Sequence, residues 1–471
     1  MKSKFTSSAE VFDWLSGFIN LERGQKPKSF RIDRMEALAQ LAGNPHKCAP
    51  SIHIAGSKGK GSVTSMLAAM LTASGFCTAR YMSPHVADIR ERICIDGSFF
   101  SEEAYCRAGD ELRDIVEARL HDSSLPPSAA QLFDTSAPDG CEPTYWELLT
   151  LFFFLCARYA KCDAMAVETG LGGRLDSTNI LDPLVSIITL IELEHTNFLG
   201  GTIAEIAGEK AGIIKQGKPL ILAEQCGEAL EVFRKKAQEK NSRLYYLPEI
   251  SELTDINITS RGTSFSLLFS NSSLLRTFDS TFSVAIPGRV QAQNAALTIA
   301  AMEVISKEIT GESIKFQKRI DEDVIRKALA NIVIPARFEK ISETPPFIID
   351  GAHTPESLSL CVETFKTLYG EGGVMIFGCA ADKDVLKMAE TAHSGFTKII
   401  ITTPGTFKVS DPAHVYETFV KAAGEQKVSL VKDTQEAVRQ AVFLAKERKL
   451  PVLGTGSFYL VSEIRKILFQ K

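Results

Sequence analysis

The chain has 471 residues, 45% apolar and 23% charged, with a formal net charge of −4. That length exceeds what one hydrophobic core usually serves, so two domains are expected. The slight acidity gives no electrostatic reason for nucleic acid or an anionic membrane to be the main partner.

In chain order, residues 1–20 carry Glu10 and Asp13 among their apolar residues. They read as an amphipathic helix and lack the uninterrupted apolar core of a signal peptide. The strand-like run Ser51-Ile52-His53-Ile54-Ala55 leads into Gly56-Ser57-Lys58-Gly59-Lys60-Gly61-Ser62 and a helical pattern over 63–71. Strand, glycine turn and helix are the parts of a phosphate cradle. Glycines let backbone N–H groups close on phosphate oxygens, a lysine reaches the β/γ-phosphates, and a hydroxyl can ligate the magnesium that accompanies ATP. The spacing is imperfect: Ile54 stands where the usual loop has its first glycine, and Gly56 comes only three residues before Gly59.

Further runs at 164–167, 184–190, 219–222, 347–349, 374–377, 398–402 and 451–453 are apolar enough for buried parallel strands. Helical patterns at 356–369, 434–447 and 462–469 lie among them, so the fold class is α/β with largely parallel sheets. Two segments break the alternation. Residues 121–142, rich in Ser, Pro, Ala and Asp, read as a surface insertion, and 244–284 as a small antiparallel patch followed by a helix over 293–309. The turn Ile334-Pro335-Ala336 after a lysine-rich piece sets a boundary near 330–336, giving domains 1–330 and 337–471. The most apolar run, 148–157, is too short to cross a bilayer. Ten scattered cysteines, without a CxxC pair or a zinc-spaced Cys/His cluster, fit reduced thiols in a cytosol, and the expectation is a soluble cytoplasmic protein.

Several motifs follow the loop in order: Tyr81-Met82-Ser83-Pro84-His85, Thr144-Tyr145-Trp146-Glu147, and Val167-Glu168-Thr169-Gly170-Leu171-Gly172-Gly173-Arg174-Leu175-Asp176-Ser177. Glu194-His195, Gly208-Glu209-Lys210-Ala211-Gly212, Arg337-Phe338-Glu339, Asp350-Gly351-Ala352-His353 and Gly456-Ser457-Phe458-Tyr459 complete the series. Glu168 ends an apolar strand, where a carboxylate can hold Mg²⁺ or simply face solvent. His195 by position alone is more often a rim residue than a ligand, and Lys210 reads plainly as a charged helical step.

Taken together these motifs resemble the folylpolyglutamate synthase/dihydrofolate synthase family of the Mur ligase superfamily, over nearly the whole chain. The resemblance implies a P-loop ATPase domain and a smaller Rossmann-like C-terminal domain, with the active site between them. It implies ATP contacts at Gly59, Lys60, Gly61, Ser62, Asn294, Arg337 and Asp350. Two magnesium ions would use Ser62, Ser83, Glu168 and His195, and pterin contacts would come from Thr144, Leu175, Asp176 and Ser177. Lys60, His195, Lys210 and Arg337 would be the catalytic set, with Lys210 carboxylated by CO₂, which requires a lysine of lowered pKa. Departures from the family pattern are Lys58 for Asn, Glu194 for Asp, Val290 for His and Thr354 for Asn.

The implied enzyme is an ATP-dependent acid–amino-acid ligase, a monomer, that joins L-glutamate to dihydropteroate or a reduced folate through an acyl phosphate. The bifunctional dihydrofolate synthase/folylpolyglutamate synthase is favoured over a monofunctional folylpolyglutamate synthase. Another Mur-type ligase would need a UDP-binding domain ahead of the loop, where only about 55 residues stand. An inert nucleotide-binding module would not need the retained polar set.

Overall fold

β1 (Ser51–Ala55) is buried at every residue, which requires a neighbouring strand on each edge and a packed layer on each face. Its neighbours are β5 (Ala164–Glu168) and β6 (Val185–Ile188), both parallel to it. The structure is a computed structural model that describes residues 4–23, 25, 30–117, 132–134, 136, 142–270, 281–308, 321–405 and 409–469. The expected insertion at 121–142 and the lysine-rich piece at 307–323 lie largely outside the described residues.

Among the described residues, the first sheet has eight strands. Beside the three central ones run β2 (Thr78–Tyr81), β3 (Ile93–Ile95), β4 (Ser98–Phe99), β7 (Leu220–Leu222) and β8 (Leu244–Tyr246), in the order β4-β3-β2-β5-β1-β6-β7-β8. The sheet's antiparallel pairings among the described residues are β2 with β3 and β3 with β4. Alternate residues of β5 serve opposite layers: Ala164 and Ala166 face the helices Lys60–Ala73 and Arg289–Glu308, while Met165 and Val167 face the helix Tyr145–Tyr159. The apolar run at 148–157 is therefore a core helix, buried on nearly every side.

A three-stranded antiparallel sheet, β9 (Ser251–Thr259), β10 (Gly262–Phe269) and β11 (Thr281–Val284), packs Phe265 and Phe282 into the first of those layers. The expected patch began at 244, but β8 instead extends the large sheet parallel to β7. The reason is packing on both faces: Tyr245 and Tyr246 enter different cores, as a sheet strand requires and a one-sided patch does not.

The helix Glu322–Ala330 still packs Ile325 and Leu329 into the first core. β12 (Glu339–Glu343) then opens a six-stranded sheet with β13 (Pro346–Ile349), β14 (Gly373–Phe377), β15 (Phe396–Ile401), β16 (Val428–Leu430) and β17 (Val452–Thr455). Its order is β12-β13-β17-β14-β15-β16, all parallel except β12. The helix Pro355–Tyr369 begins at Thr354, whose hydroxyl accepts from the Ser357 amide, so threonine fills the capping position competently. Every described cysteine is a free thiol.

Phe153 is fully buried with its ring 5.2 Å from that of Tyr81 and 5.4 Å from that of Phe154. Phe153→Ala is expected to destabilise the core around the helix Tyr145–Tyr159 by about 3–5 kcal/mol. Both tryptophans, Trp14 and Trp146, belong to that core, so their fluorescence during urea unfolding reads the loss directly.

Candidate active site

Because β5, β1 and β6 are parallel, their carboxyl ends deliver three loops to one edge: the glycine turn after β1, Glu168 onward after β5, and residues 189–195 after β6. The glycine turn is locked to the third loop, with the amides of Ser57 and Lys58 donating to the Leu190 carbonyl at 2.9 and 3.1 Å. Gly59 sits at φ +90°, and a Cβ there would lie 2.5 Å from Asn294 Oδ1, so this turn and this approach both require glycine. Asn294 is steadied by Gln291, the amide nitrogen donating to the Gln291 oxygen at 3.2 Å.

The Gly56 carbonyl is shared by two cations. Lys60 Nζ donates to it at 2.8 Å and Lys210 Nζ at 2.7 Å. Lys210 is 1% exposed and also pairs with Glu194 at 2.9 Å. Burial pulls its pKa down to about 8 against the attraction of Glu194, with Lys60 adding repulsion. For Glu194, burial opposes ionisation, but Lys60 and Lys210 outweigh it and bring the pKa to about 2. His195 opens onto the cleft but is crowded by protein. Loss of water lowers its pKa to about 4, opposed by Glu194 and reinforced by Lys60 and Lys210, so the ring is neutral.

Glu168 is 3% exposed, and its Oε2 has no hydrogen-bond partner among the described residues. Burial raises its pKa to about 7 against the pull of Lys60 and Arg337, while the Ser83 amide faces the carboxylate. Gly61 marks the meeting point: a Cβ on it would lie 3.6 Å from Glu168 Oε2 and 3.8 Å from an Arg337 guanidinium nitrogen. The second sheet thus supplies Arg337 to the phosphate loop. Two left-handed residues, Ala336 (φ 55°) and Phe338 (φ 45°), flank Arg337 and turn it inward over the Phe458 ring at 4.5 Å. Asp350 braces that turn, accepting from the amides of Phe338 and Ala352 at 2.8 Å each.

A cavity of about 450 Å³ joins these groups. Its walls include Lys60, Ser83, Glu168 and His195, then Thr144, Trp146, Leu175, Asp176 and Ser177, and from the second sheet His353, Asp382, Lys383 and Tyr459. The Thr144 hydroxyl caps the helix Tyr145–Tyr159 in a reciprocal box with Glu147, which in turn pairs with buried Arg34 at 2.7 Å. Asp176 accepts from the Leu171 amide at 2.8 Å and from Thr178, and Ser177 bonds Thr150 at 2.7 Å.

Residues 139–302 match the Mur ligase middle domain and residues 336–458 the Mur ligase glutamate ligase domain. The dihydrofolate synthase/folylpolyglutamate synthase of Bacillus subtilis is 30% identical, the match covering 98% of this chain and all of that protein. The folylpolyglutamate synthase of Lacticaseibacillus casei is 31% identical over 92% and 94% of the two chains. The chain belongs to the folylpolyglutamate synthase/dihydrofolate synthase family. The fold agrees: a Mycobacterium tuberculosis folylpolyglutamate synthase, complexed with ADP and AMPPCP, superposes with a TM-score of 0.81 at 25% identity over 98% of each chain. The Thermotoga maritima enzyme gives 0.79 at 27% identity, covering 98% and 97%.

Of the residues read from sequence, Lys60, Ser83, Thr144, Glu168, Leu175, Asp176, Ser177 and His195 line the cavity, Asn294 and Arg337 border the glycine turn, and Lys210 sits on the Gly56 carbonyl. Two qualifications follow from the geometry. Both Asp350 oxygens take backbone amides, and the Thr144 hydroxyl takes a capping bond, so each holds a loop as well as facing ligand space. Arg34, Asp382 and Lys383 also line the cleft; Asp382 and Lys383 look like ordinary surface residues until the two halves meet, and Arg34 like any helical arginine until Glu147 pairs with it.

His53, buried in β1, bonds Thr178 Oγ1 at 2.7 Å behind the Asp176 turn, and burial lowers its pKa from 6.5 to about 3. A base with a lowered folded pKa takes up a proton on unfolding, so stability is lost as pH falls through the 6.5-to-3 window. His53→Gln should therefore flatten the dependence of unfolding free energy on pH near about pH 5 by about 1.4 kcal/mol per pH unit, one proton's worth. Denaturant titrations across that window check it.

Proposed function

We propose that the chain is an ATP-dependent ligase that joins L-glutamate to a pterin carboxylate, acting on both dihydropteroate and reduced folate. The observation that carries this reading is the cleft in which the phosphate-loop lysine, a strand-end carboxylate, the Thr144/Asp176 wall and Lys383 of the second half converge. Its relatives in Bacillus subtilis and Lacticaseibacillus casei, a dihydrofolate synthase/folylpolyglutamate synthase and a folylpolyglutamate synthase, support the same reading. The division at 330–336 into a nucleotide-and-pterin domain and a glutamate-ligase domain belongs to this proposal, as do monomeric and cytoplasmic operation. Among the described residues no helix is long and apolar enough to cross a membrane.

A carboxylate acylates poorly because its leaving group would be oxide. Its oxygen attacks the γ-phosphorus of ATP, giving an acyl phosphate and ADP. The deprotonated amine of glutamate then attacks the acyl carbon, and phosphate leaves with its electron pair. Lys60 and Arg337 face the transferring group and neutralise its growing charge, Arg337 being delivered by the second half as that half closes. Asn294 borders the loop on the nucleotide side, and Lys383 offers a cation for a carboxylate of the incoming glutamate.

A magnesium pair fits the residues present. Glu168 carries a buried oxygen without a partner among the described residues, and Ser62, Ser83 and His195 offer further donors. No three His, Cys, Asp or Glu side chains gather as a metal cluster among the described residues, so the ions would draw on phosphate oxygens and water, as magnesium does. Bound there, magnesium would offset phosphate charge.

For Lys210, a pKa near 8 leaves about half of the amine neutral at pH 8, the form that adds CO₂ to give a carbamate with release of a proton. The carbamate would place a negative charge where an ammonium now pairs with Glu194. Stripping CO₂ from the assay near pH 8 should lower activity and bicarbonate should restore it, whereas Lys210→Ala should respond to neither. Activity indifferent to CO₂ would remove the carbamate.

The central test is glutamate-dependent ADP release with each acceptor. Both dihydropteroate and tetrahydrofolate are expected to support it; release with the folate alone would reduce the proposal to one activity, and release with neither would refute it. Lys60→Ala should raise the chemical barrier by about 2.7–4 kcal/mol, the size of one preorganised electrostatic donor. Turnover within a few-fold of wild type would exclude that role.

A further inference from the structure

The phosphate loop holds a second lysine, Lys58, two residues before Lys60. Its backbone is fixed by the bridge to Leu190, so its side chain leaves the loop in a set direction. The side chain is half-buried, yet among the described residues no hydrogen bond or ion pair takes up its ammonium. Glu194 and Glu192 attract it from a distance, and Lys60 and Lys383 repel it. Glu194 is already held by Lys210 at 2.9 Å, and Glu192 keeps a buried oxygen with no hydrogen-bond partner among the described residues. Across the cleft, Lys58 is the strongest charged neighbour of His353, three residues beyond Asp350. Its charge therefore bears on both the phosphate loop and the loop of the second half that braces Arg337.

A half-buried cation without a partner, beside other cations, is short of solvation and is stabilised by an anion. We propose that Lys58 is a second phosphate-binding cation, which contacts the ATP polyphosphate from the side facing the second sheet while Lys60 contacts it from the helix side. This rests on ATP being the nucleotide of this site. The competing occupant is Glu192, which could close on Lys58 and leave it no ligand role.

Calorimetric titration of the full chain with ATP and with AMP, which lacks the β- and γ-phosphates, separates these. Lys58→Met is expected to weaken ATP binding by about tenfold or more, the scale of a charge-assisted hydrogen bond, with AMP affinity unchanged. Lys58→Arg should recover most of the loss, and Glu192→Gln should leave ATP affinity at wild-type level. ATP affinity of Lys58→Met within twofold of wild type would overturn the assignment. So would equal losses for ATP and AMP, which mean a damaged loop, or a raised KM confined to glutamate. Wild-type protein that fails to bind ATP would refute the nucleotide reading itself, and the role of Lys58 with it.

Discussion

The parallel pairing of β1 between β5 and β6 is the constraint on which the site depends. In a parallel sheet every strand ends on the same edge, so three loops far apart in sequence are forced together without any contact between their side chains. Ligand sites at that edge follow from the chain path. What must then be solved is burial: strands covered on both faces need apolar residues throughout, and β1 and β5 are buried at all five positions. Apart from His53, whose ring bonds Thr178 within the packed layer, the polar groups that reach the cleft sit where the strands stop.

The charge arrangement follows from that crowding. One carbonyl, Gly56, holds two ammonium groups, and one carboxylate, Glu194, answers them both. Loss of water draws Lys210 toward neutrality despite the attraction of Glu194, while the two lysines together outweigh the same loss at Glu194 and keep it ionised. Glu168 sits in a different balance, with burial ahead of its cations and one oxygen without a partner among the described residues. Such a carboxylate is prepared for a cation that the chain itself does not supply. The Glu194 side chain reaches Lys210 directly at 2.9 Å.

The same logic governs the second half. Arg337 is held by a strained turn, with left-handed residues on either side that cost about 1–3 kcal/mol each. Asp350 offsets this by accepting two amides of the surrounding backbone. A residue read from sequence as a nucleotide contact is thus also the brace of the arginine that reaches the phosphate loop. The arginine, its brace and the aromatic ring of Phe458 come from three separate stretches of the second half, before β12, after β13 and at the start of the helix Phe458–Phe469.

Sequence alone determined the elements whose signal is local. Periodicity located the parallel strands and their helices, the glycines and Lys60 located the phosphate loop, and ordered motifs identified the residues that gather at the cleft. Local pattern failed where a strand's partner lies far away: residues 244–246 look like the start of a hairpin, yet they close the large sheet because their two tyrosines find cores on opposite faces. Tertiary structure alone decided which polar groups share one space. Arg337 beside Glu168, Lys210 on the Gly56 carbonyl, Lys383 in the cleft and Lys58 left without a partner among the described residues are all consequences of long-range closure. Burial, charge and distance between distant segments exist only once the chain has folded, and they set what each of these side chains can do.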